Sequence, residues 1–248
     1  MSVRPQWSYV QARLQARHGE RLQEGDWRGV EAALSLDHYI ERARTTVLRR
    51  FVDVVHAPMS SHAIERALRA AWRDYVAEVA GWLPTEWQPA TQWAAYVPDL
   101  PAIDALLKGD ARDWMRQDLL LSTPAEGHAN LLAQLTGAES GASLAARWYA
   151  HWLSLWPRGG KADARLLSEL ADIVRAHVKQ LAAAGAQETS APYRRELSRA
   201  VSRLFRRHGA TAVALFCHLI LVALDLERLR GGLVRRRLFA PPLTRQAA

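Results

Sequence analysis

Ala210-Thr-Ala-Val-Ala-Leu-Phe-Cys-His-Leu-Ile-Leu-Val-Ala-Leu224 is the strongest apolar run in the chain, fifteen uncharged residues in a segment bounded by Arg207 and Asp225. A helix needs about 20 apolar residues to cross a bilayer. This run is shorter by a turn or more, and it holds His218. It therefore reads as a buried helix at the centre of its domain, not as a membrane anchor.

Working outward, apolar residues return at three- and four-residue steps in segment after segment. Upstream, Leu197, Val201 and Leu204 share one helix face. Residues 62–80 carry Ile64, Ala67, Leu68, Ala71, Trp72, Tyr75 and Val79 at helical spacing, with Ser60-Ser61 placed to cap them. Residues 143–156 present Leu144, Trp148, Trp152 and Leu155 on one side, and 162–184 reads as a long amphipathic helix. Between 81 and 101 the texture changes, with Pro84, Pro89, Pro98 and Pro101 interleaved with Trp82, Trp87, Trp93 and Tyr96. Prolines this dense prevent a long helix, while the rings need burial. An ordered connector with one short helix is expected there. Short helices are also expected at 102–109, 111–121 and 125–135, a loop at 157–161 and a polar linker at 185–192. No run alternates strictly enough to be a strand. The expected fold is all-α, a multi-helix bundle with short connectors and a Pro/Trp-rich linker. It reads as one helical domain over 1–248, with sub-lobes at 1–157 and 162–239 and a flexible tail at 240–248.

A chain of 248 residues, 49% hydrophobic, is long and apolar enough to bury a real core, which argues against disorder. Cys217 is the only cysteine, so neither an intrachain disulfide nor a zinc site built on several thiolates is open to it. The opening Met-Ser-Val-Arg-Pro-Gln-Trp has no apolar core, so no signal peptide is expected and the cytoplasmic side is the natural compartment.

Charge is concentrated at one end. From Pro192 to Ala248 twelve arginines and no lysine stand against three acids, a net of +9, while the whole chain carries +8. Arg195, Arg199, Arg203 and Arg206 form a stripe along one helix face, opposite Leu197, Val201 and Leu204. A second cluster, Arg235-Arg236-Arg237, lies beyond what reads as a break at Gly231-Gly232. Such clusters are solvated basic faces or contacts with acidic protein, anionic lipid heads or nucleic-acid phosphates. Arginine without lysine, and no recognisable helix-turn-helix, count against specific nucleic-acid readout.

Catalytic constellations are missing. Gly159-Gly160-Lys161-Ala162 lacks the first glycine and the hydroxyl of a phosphate-binding loop, and Gly137-Ala-Glu-Ser140-Gly141 has the wrong spacing for a nucleophile elbow. The nine histidines are scattered singly. Cys217 and His218 are helix neighbours about 100° apart, so they do not serve as nucleophile and base for each other. The expectation is a non-enzyme with no cofactor, no metal and no small-molecule substrate.

The N-terminus carries the most specific pattern. Tyr9, Ala12, Arg13, Ala16 and Arg17 share one side of a helix, where alanines would let another backbone approach, and Gly19 is placed to end it in the left-handed conformation. Asp26 is placed to cap a short helix with Trp27, Val30 and Leu34, and Asp37 the next, with Ile40, Ala43, Val47, Leu48 and Phe51. This order resembles the N-terminus of the ring-to-stalk coupling-subunit family of V-type and archaeal-type rotary ATPases. Pro98-Asp99-Leu100 through Leu106-Leu107-Lys108 and the segment Ala223–Gly232 resemble it more weakly; Ile103-Asp104 and Glu227-Arg228 stand where that family commonly has Asn-Leu-Arg. The chain is also shorter than typical members. The resemblance implies a reduced version of the family's helical lobes and a non-catalytic coupling role. Such a protein seats on the cytoplasmic end of the membrane rotor ring and receives the foot of the central stalk. The resemblance also implies a peripheral location at the inner face of the membrane.

Overall fold

The structure, a computed structural model, describes residues 3–110, 112–116, 118, 143–157, 161–184, 191–209 and 211–239. Every regular element among them is helical, as the periodicities predict. The helix expected at 125–135, most of the loop at 157–161, the linker at 185–190 and the tail at 240–248 lie outside the described residues, as does the end of the helix expected at 111–121. The chain forms two compact units, Met1–Leu68 with Gly159–Ala248, and Arg69–Arg158. This division differs from sub-lobes at 1–157 and 162–239. Helices from the start of the chain pack against its last helix, so both ends belong to one unit.

The long helix of the first unit holds the apolar run. We number the unit's helices α1 (Val3–Gly19), α2 (Glu24–Glu31), α3 (Leu36–Arg44), α4 (Arg49–Val52) and α5 (Ser61–Gly81), the last continuing into the second unit. The elements of the second unit intervene, described below. The first unit then resumes with the helices Lys161–Ala184, Ala191–Arg207 and Ala212–Leu238. Residues 212–219 are buried without interruption, and Leu221, Leu226, Leu229 and Leu233 continue the buried side as polar residues begin to alternate. Neighbours surround this helix, and burying each large side chain contributes roughly 1.5–3 kcal/mol.

Gly231-Gly232 does not break the helix, which runs on to Leu238. Gly232 is there for packing: a methyl on it would overlap Oη and Cζ of Tyr39, a fully buried α3 side chain. Only glycine leaves room for α3 to seat its ring on this backbone.

Several N-terminal expectations are corrected. On α1 the buried face is Val10 and Leu14, whereas Ala12 and Ala16 are exposed and Tyr9 is 52% exposed. The alanine face therefore admits no backbone of this chain. Gly19 is not in the left-handed conformation; Gly109, after the second unit's helix Leu100–Leu107, is, at φ 80°. Asp26 caps α2 from inside its first turn, accepting from the Gln23 amide at 2.8 Å. Ser35, not Asp37, caps α3 by accepting from the His38 amide at 3.3 Å. Leu34 is exposed, and α3 ends at Arg44 instead of running to Phe51. Thr46 Oγ1 donates to the Ala43 carbonyl at 2.7 Å and accepts from the Leu48 amide at 3.2 Å, so a local hydroxyl replaces helical partners.

The second unit is more helical than a Pro-rich connector suggests. After α5 come a 3-10 turn (Thr85–Trp87), α6 (Gln88–Trp93), a 3-10 stretch (Ala94–Asp99), α7 (Leu100–Leu107), α8 (Asp113–Arg116) and α9 (Leu144–Ser154). Pro89 and Pro101 fall in the first turns of α6 and α7, where no amide partner is lost. The tryptophans are core: Trp72, Trp87, Trp93 and Trp152 are buried, and the Trp93 and Trp148 indoles each donate to the other's carbonyl, at 3.0 and 3.3 Å. Arg69 and Arg73 reach the buried Asp99 at 3.0 and 2.8 Å, and Arg69 also reaches Asp118 at 2.7 Å. No described helix is long and apolar enough to cross a membrane.

Candidate functional site

The remaining helices of the first unit, in chain order, are α10 (Lys161–Ala184), α11 (Ala191–Arg207) and α12 (Ala212–Leu238). Leu197, Val201, Leu204 and Phe205 bury one face of α11, and that face fixes where its arginines go. Arg195, Arg199, Arg203 and Arg206 are all exposed on the other side, as their spacing predicts. Three of them, Arg195, Arg199 and Arg206, line a groove of about 790 Å³ that the sequence alone does not reveal. Its walls are the exposed side of α11, the turn from α1 into α2, and the C-terminal half of α12.

The groove exists because the lines of residues facing it are small where they would otherwise close it. On α11 these are Ala191, Ser198 and Ser202; on α12, Gly231 and Gly232. Gly231 has nothing within 4 Å of where a Cβ would stand, so its missing side chain leaves open space and serves no packing. Seven arginines and three carboxylates line the groove, a net of +4.

The charges fall into two sets. The floor is paired. Arg21 holds Asp225 through Nε at 2.7 Å and Nη2 at 2.9 Å, and its Nη2 also donates to the Leu221 carbonyl at 3.2 Å. Burial raises the Asp225 carboxyl above its ordinary value, with the Arg21 hydrogen bond pulling it down. Arg228 forks onto Glu31 at 2.7 and 2.8 Å and onto Glu24 at 2.9 and 3.0 Å, while its guanidinium lies 4.7 Å from the Trp27 ring centre. Hydrogen bonding to Glu31 raises the Arg228 pKa, and hydrogen bonding from Arg228 lowers that of Glu24. Both partners therefore stay charged. The rim is unpaired: among the described residues, Arg195, Arg199, Arg206 and Arg235 form no ion pair. His18, stacked on Phe205 at 4.3 Å, is held neutral by burial and by the nearby Arg21 and Arg206, so it adds nothing to the charge near pH 7.

The triplet Arg235-Arg236-Arg237 does not act as one patch. Arg235 faces the groove and Arg237 is exposed, but Arg236 is buried. Its Nε donates to the Ala33 carbonyl at 2.8 Å, its Nη1 to Gly232 at 3.0 Å and its Nη2 to Glu31 at 2.7 Å, and its guanidinium lies 4.0 Å from the Tyr39 ring centre. It ties the end of α2 to α12, so it is a fold residue where a partner contact is expected. The N-terminal residues lie elsewhere: Arg13 donates to the Tyr9 hydroxyl at 2.7 Å, and Arg17 meets Glu20 at 3.4 Å.

Cys217 and His218 are fully buried on α12. Burial pushes the thiol up to about 12 and the imidazole down to about 3, so neither is in its reactive form near neutral pH. Among the described residues no group of three or more His, Cys, Asp or Glu is placed to hold a metal ion. The chain matches no family model, no curated protein and no solved structure.

Proposed function

We propose that the chain is a non-catalytic docking subunit that receives an acidic protein surface in the groove between α2, α11 and α12. The observation that carries the reading is the division of charge there. The floor arginines have their carboxylates, while Arg195, Arg199, Arg206 and Arg235 converge on open space with none. Unpaired guanidiniums around a concavity supply planar, forked donors for carboxylates brought by a partner. The N-terminal resemblance supplies the assembly. In it the chain is the coupling subunit of a rotary V-type ion-translocating ATPase, joining the membrane rotor ring to the central stalk from the cytoplasmic side.

A nucleic-acid backbone would meet the same charges. Single strands, however, bind where rings are open for stacking, and the one ring lining the groove, Trp27, is 2% exposed and covered by Arg228. The favoured partner is therefore protein.

The test is co-expression with ring and central-stalk subunits. The wild-type chain is expected to co-purify with them, and the variant Arg195→Glu, Arg199→Glu, Arg235→Glu to lose them with its helical circular dichroism intact. Retained assembly, or wild-type chain that carries nucleic acid through moderate salt instead, would overturn the reading.

A further inference from the structure

The groove's dimensions say more about its occupant than its charge does. We infer that it binds an extended acidic segment of about five residues, with carboxylates at alternate positions. This rests on the groove being the docking site for an acidic protein, and it adds the conformation and pattern of the part that enters.

From Arg195 to Arg206 is eleven residues of helix, about 16 Å at 1.5 Å per residue. An extended chain at about 3.3 Å per residue covers that length with five residues. The step from Arg195 to Arg199 is about 6 Å along the helix. Alternate side chains of an extended segment stand about 6.6 Å apart on one face. A row of carboxylates at every second position thus meets the α11 arginines nearly in register, with Arg235 on the opposite wall.

The floor also selects for extended backbone. Ser198 and Ser202 lie between the arginines, and Gln23 lines the groove near them. Hydroxyl and amide groups donate and accept. They therefore match the unpaired N–H and C=O groups of an extended chain, whereas a helix satisfies its own backbone. A helix with side chains is about 10 Å across. A groove of about 790 Å³, already narrowed by arginines on both walls, suits a single strand of chain better. Gly231 keeps the α12 wall low at the point where that chain passes.

The test uses the full chain and fluorescein-labelled peptides followed by anisotropy at moderate salt. One peptide carries glutamates at alternate positions among serines. A second has the same composition with its glutamates contiguous. A third is a helix-stapled peptide with glutamates four residues apart. The alternating peptide is expected to bind at one site, at least about threefold tighter than the others. Gly231→Phe, which fills the groove without touching a charge, is expected to weaken it about tenfold or more. Arg199→Gln should do the same, since a charge-assisted hydrogen bond corresponds to about a tenfold change or more. Arg237→Gln, exposed and outside the groove, is expected to change it less than twofold. Gly231→Ala serves as the control that a side chain at this position leaves the fold intact.

Equal binding of all three peptides, or binding indifferent to Gly231→Phe, would overturn the inference and leave only diffuse attraction. Tighter binding of the stapled helix, or of a homopolymeric single-stranded DNA, would overturn it in favour of that occupant. Capture of ring or stalk subunits that persists in Gly231→Phe would sink the extended-segment inference while leaving the docking reading standing. Peptide binding without any such capture would do the reverse.

Discussion

Gly231 and Gly232 are neighbours in α12, yet the structure predicts opposite signs when each becomes alanine. Both substitutions gain helix propensity, worth about 0.5–1 kcal/mol in a helix interior. At Gly231 nothing lies within 4 Å of the added methyl, so the whole gain is expressed. At Gly232 the methyl falls inside van der Waals contact with Tyr39 Oη and Cζ, and stands 3.0 Å from Cε1. Tyr39 has no exposed side to retreat to, and the Arg236 guanidinium lies 4.0 Å from its ring centre. Overpacking of this kind costs about 1–3 kcal/mol, and loss of the guanidinium stacking roughly 0.5–2 more. Gly232→Ala is therefore expected to destabilise by about 1–3 kcal/mol after the propensity gain, and Gly231→Ala to stabilise by up to about 1. Urea unfolding followed by circular dichroism at 222 nm reads both. Tyr39→Phe supplies the internal check. Its hydroxyl is buried without a hydrogen-bond partner among the described residues, so removing it is expected to be neutral or stabilising and to soften the Gly232→Ala loss. Equal stabilisation by the two alanines would show that α3 does not seat Tyr39 on Gly232, and would refute the packing described.

Three further outcomes follow from the same residues. Arg236→Ala should destabilise by about 2–4 kcal/mol, because it strands the Ala33, Glu31 and Gly232 carbonyls and opens the α2–α12 contact, while Arg237→Ala stays within about 0.5; chemical denaturation of the two variants compares them. His218 is expected to make stability fall with acid. Unfolded, it takes a proton near 6.5; folded, only near 3, so across that window the unfolded state binds more protons and stability rises with pH. Urea midpoints measured from pH 7 down to pH 4 should drop in the wild type and drop less in His218→Leu. Cys217, buried with its thiol pushed up to about 12, should react with iodoacetamide at pH 8 only as the protein unfolds, so that labelling measured by mass spectrometry follows added urea.

The helices were legible in the sequence because their evidence is periodic and local. The apolar helix from Ala212 through Leu224, the Ser60 cap and the Leu197–Val201–Leu204 face all appear where the residues place them. Helix ends were less legible. Thr46 stops α3 by a hydroxyl that competes for a backbone partner, and Asp26 caps from the third position of its helix instead of before it. The glycines misled most. Gly231-Gly232 reads as a break from propensity, but a tertiary contact with Tyr39, nearly two hundred residues away in sequence, decides its role. Of the candidate partner residues, the α11 stripe was readable from spacing. The difference between Arg235 and Arg236 was not, since adjacent residues on a helix face different neighbours and only the fold says that Arg236 meets three carbonyls. The groove itself was beyond reach of the sequence. It is made by small residues on two helices, with its floor charges already neutralised from the α1–α2 region.

The most direct measurement of the central claim is the affinity of the purified chain for a purified central-stalk subunit of a V-type ATPase at about 0.15 M salt, a condition under which exposed charges farther apart than about 8 Å are screened. It compares the wild type with Arg195→Glu, Arg199→Glu, Arg206→Glu, three exposed arginines whose replacement should leave the helical fold in place. The account predicts saturable binding by the wild type and a loss of about a hundredfold or more in the variant, because each lost charge-assisted contact corresponds to roughly tenfold and each new carboxylate repels the partner's own. Binding that survives the triple reversal, or a wild-type chain that ignores the stalk subunit and holds random DNA at that salt, would contradict it.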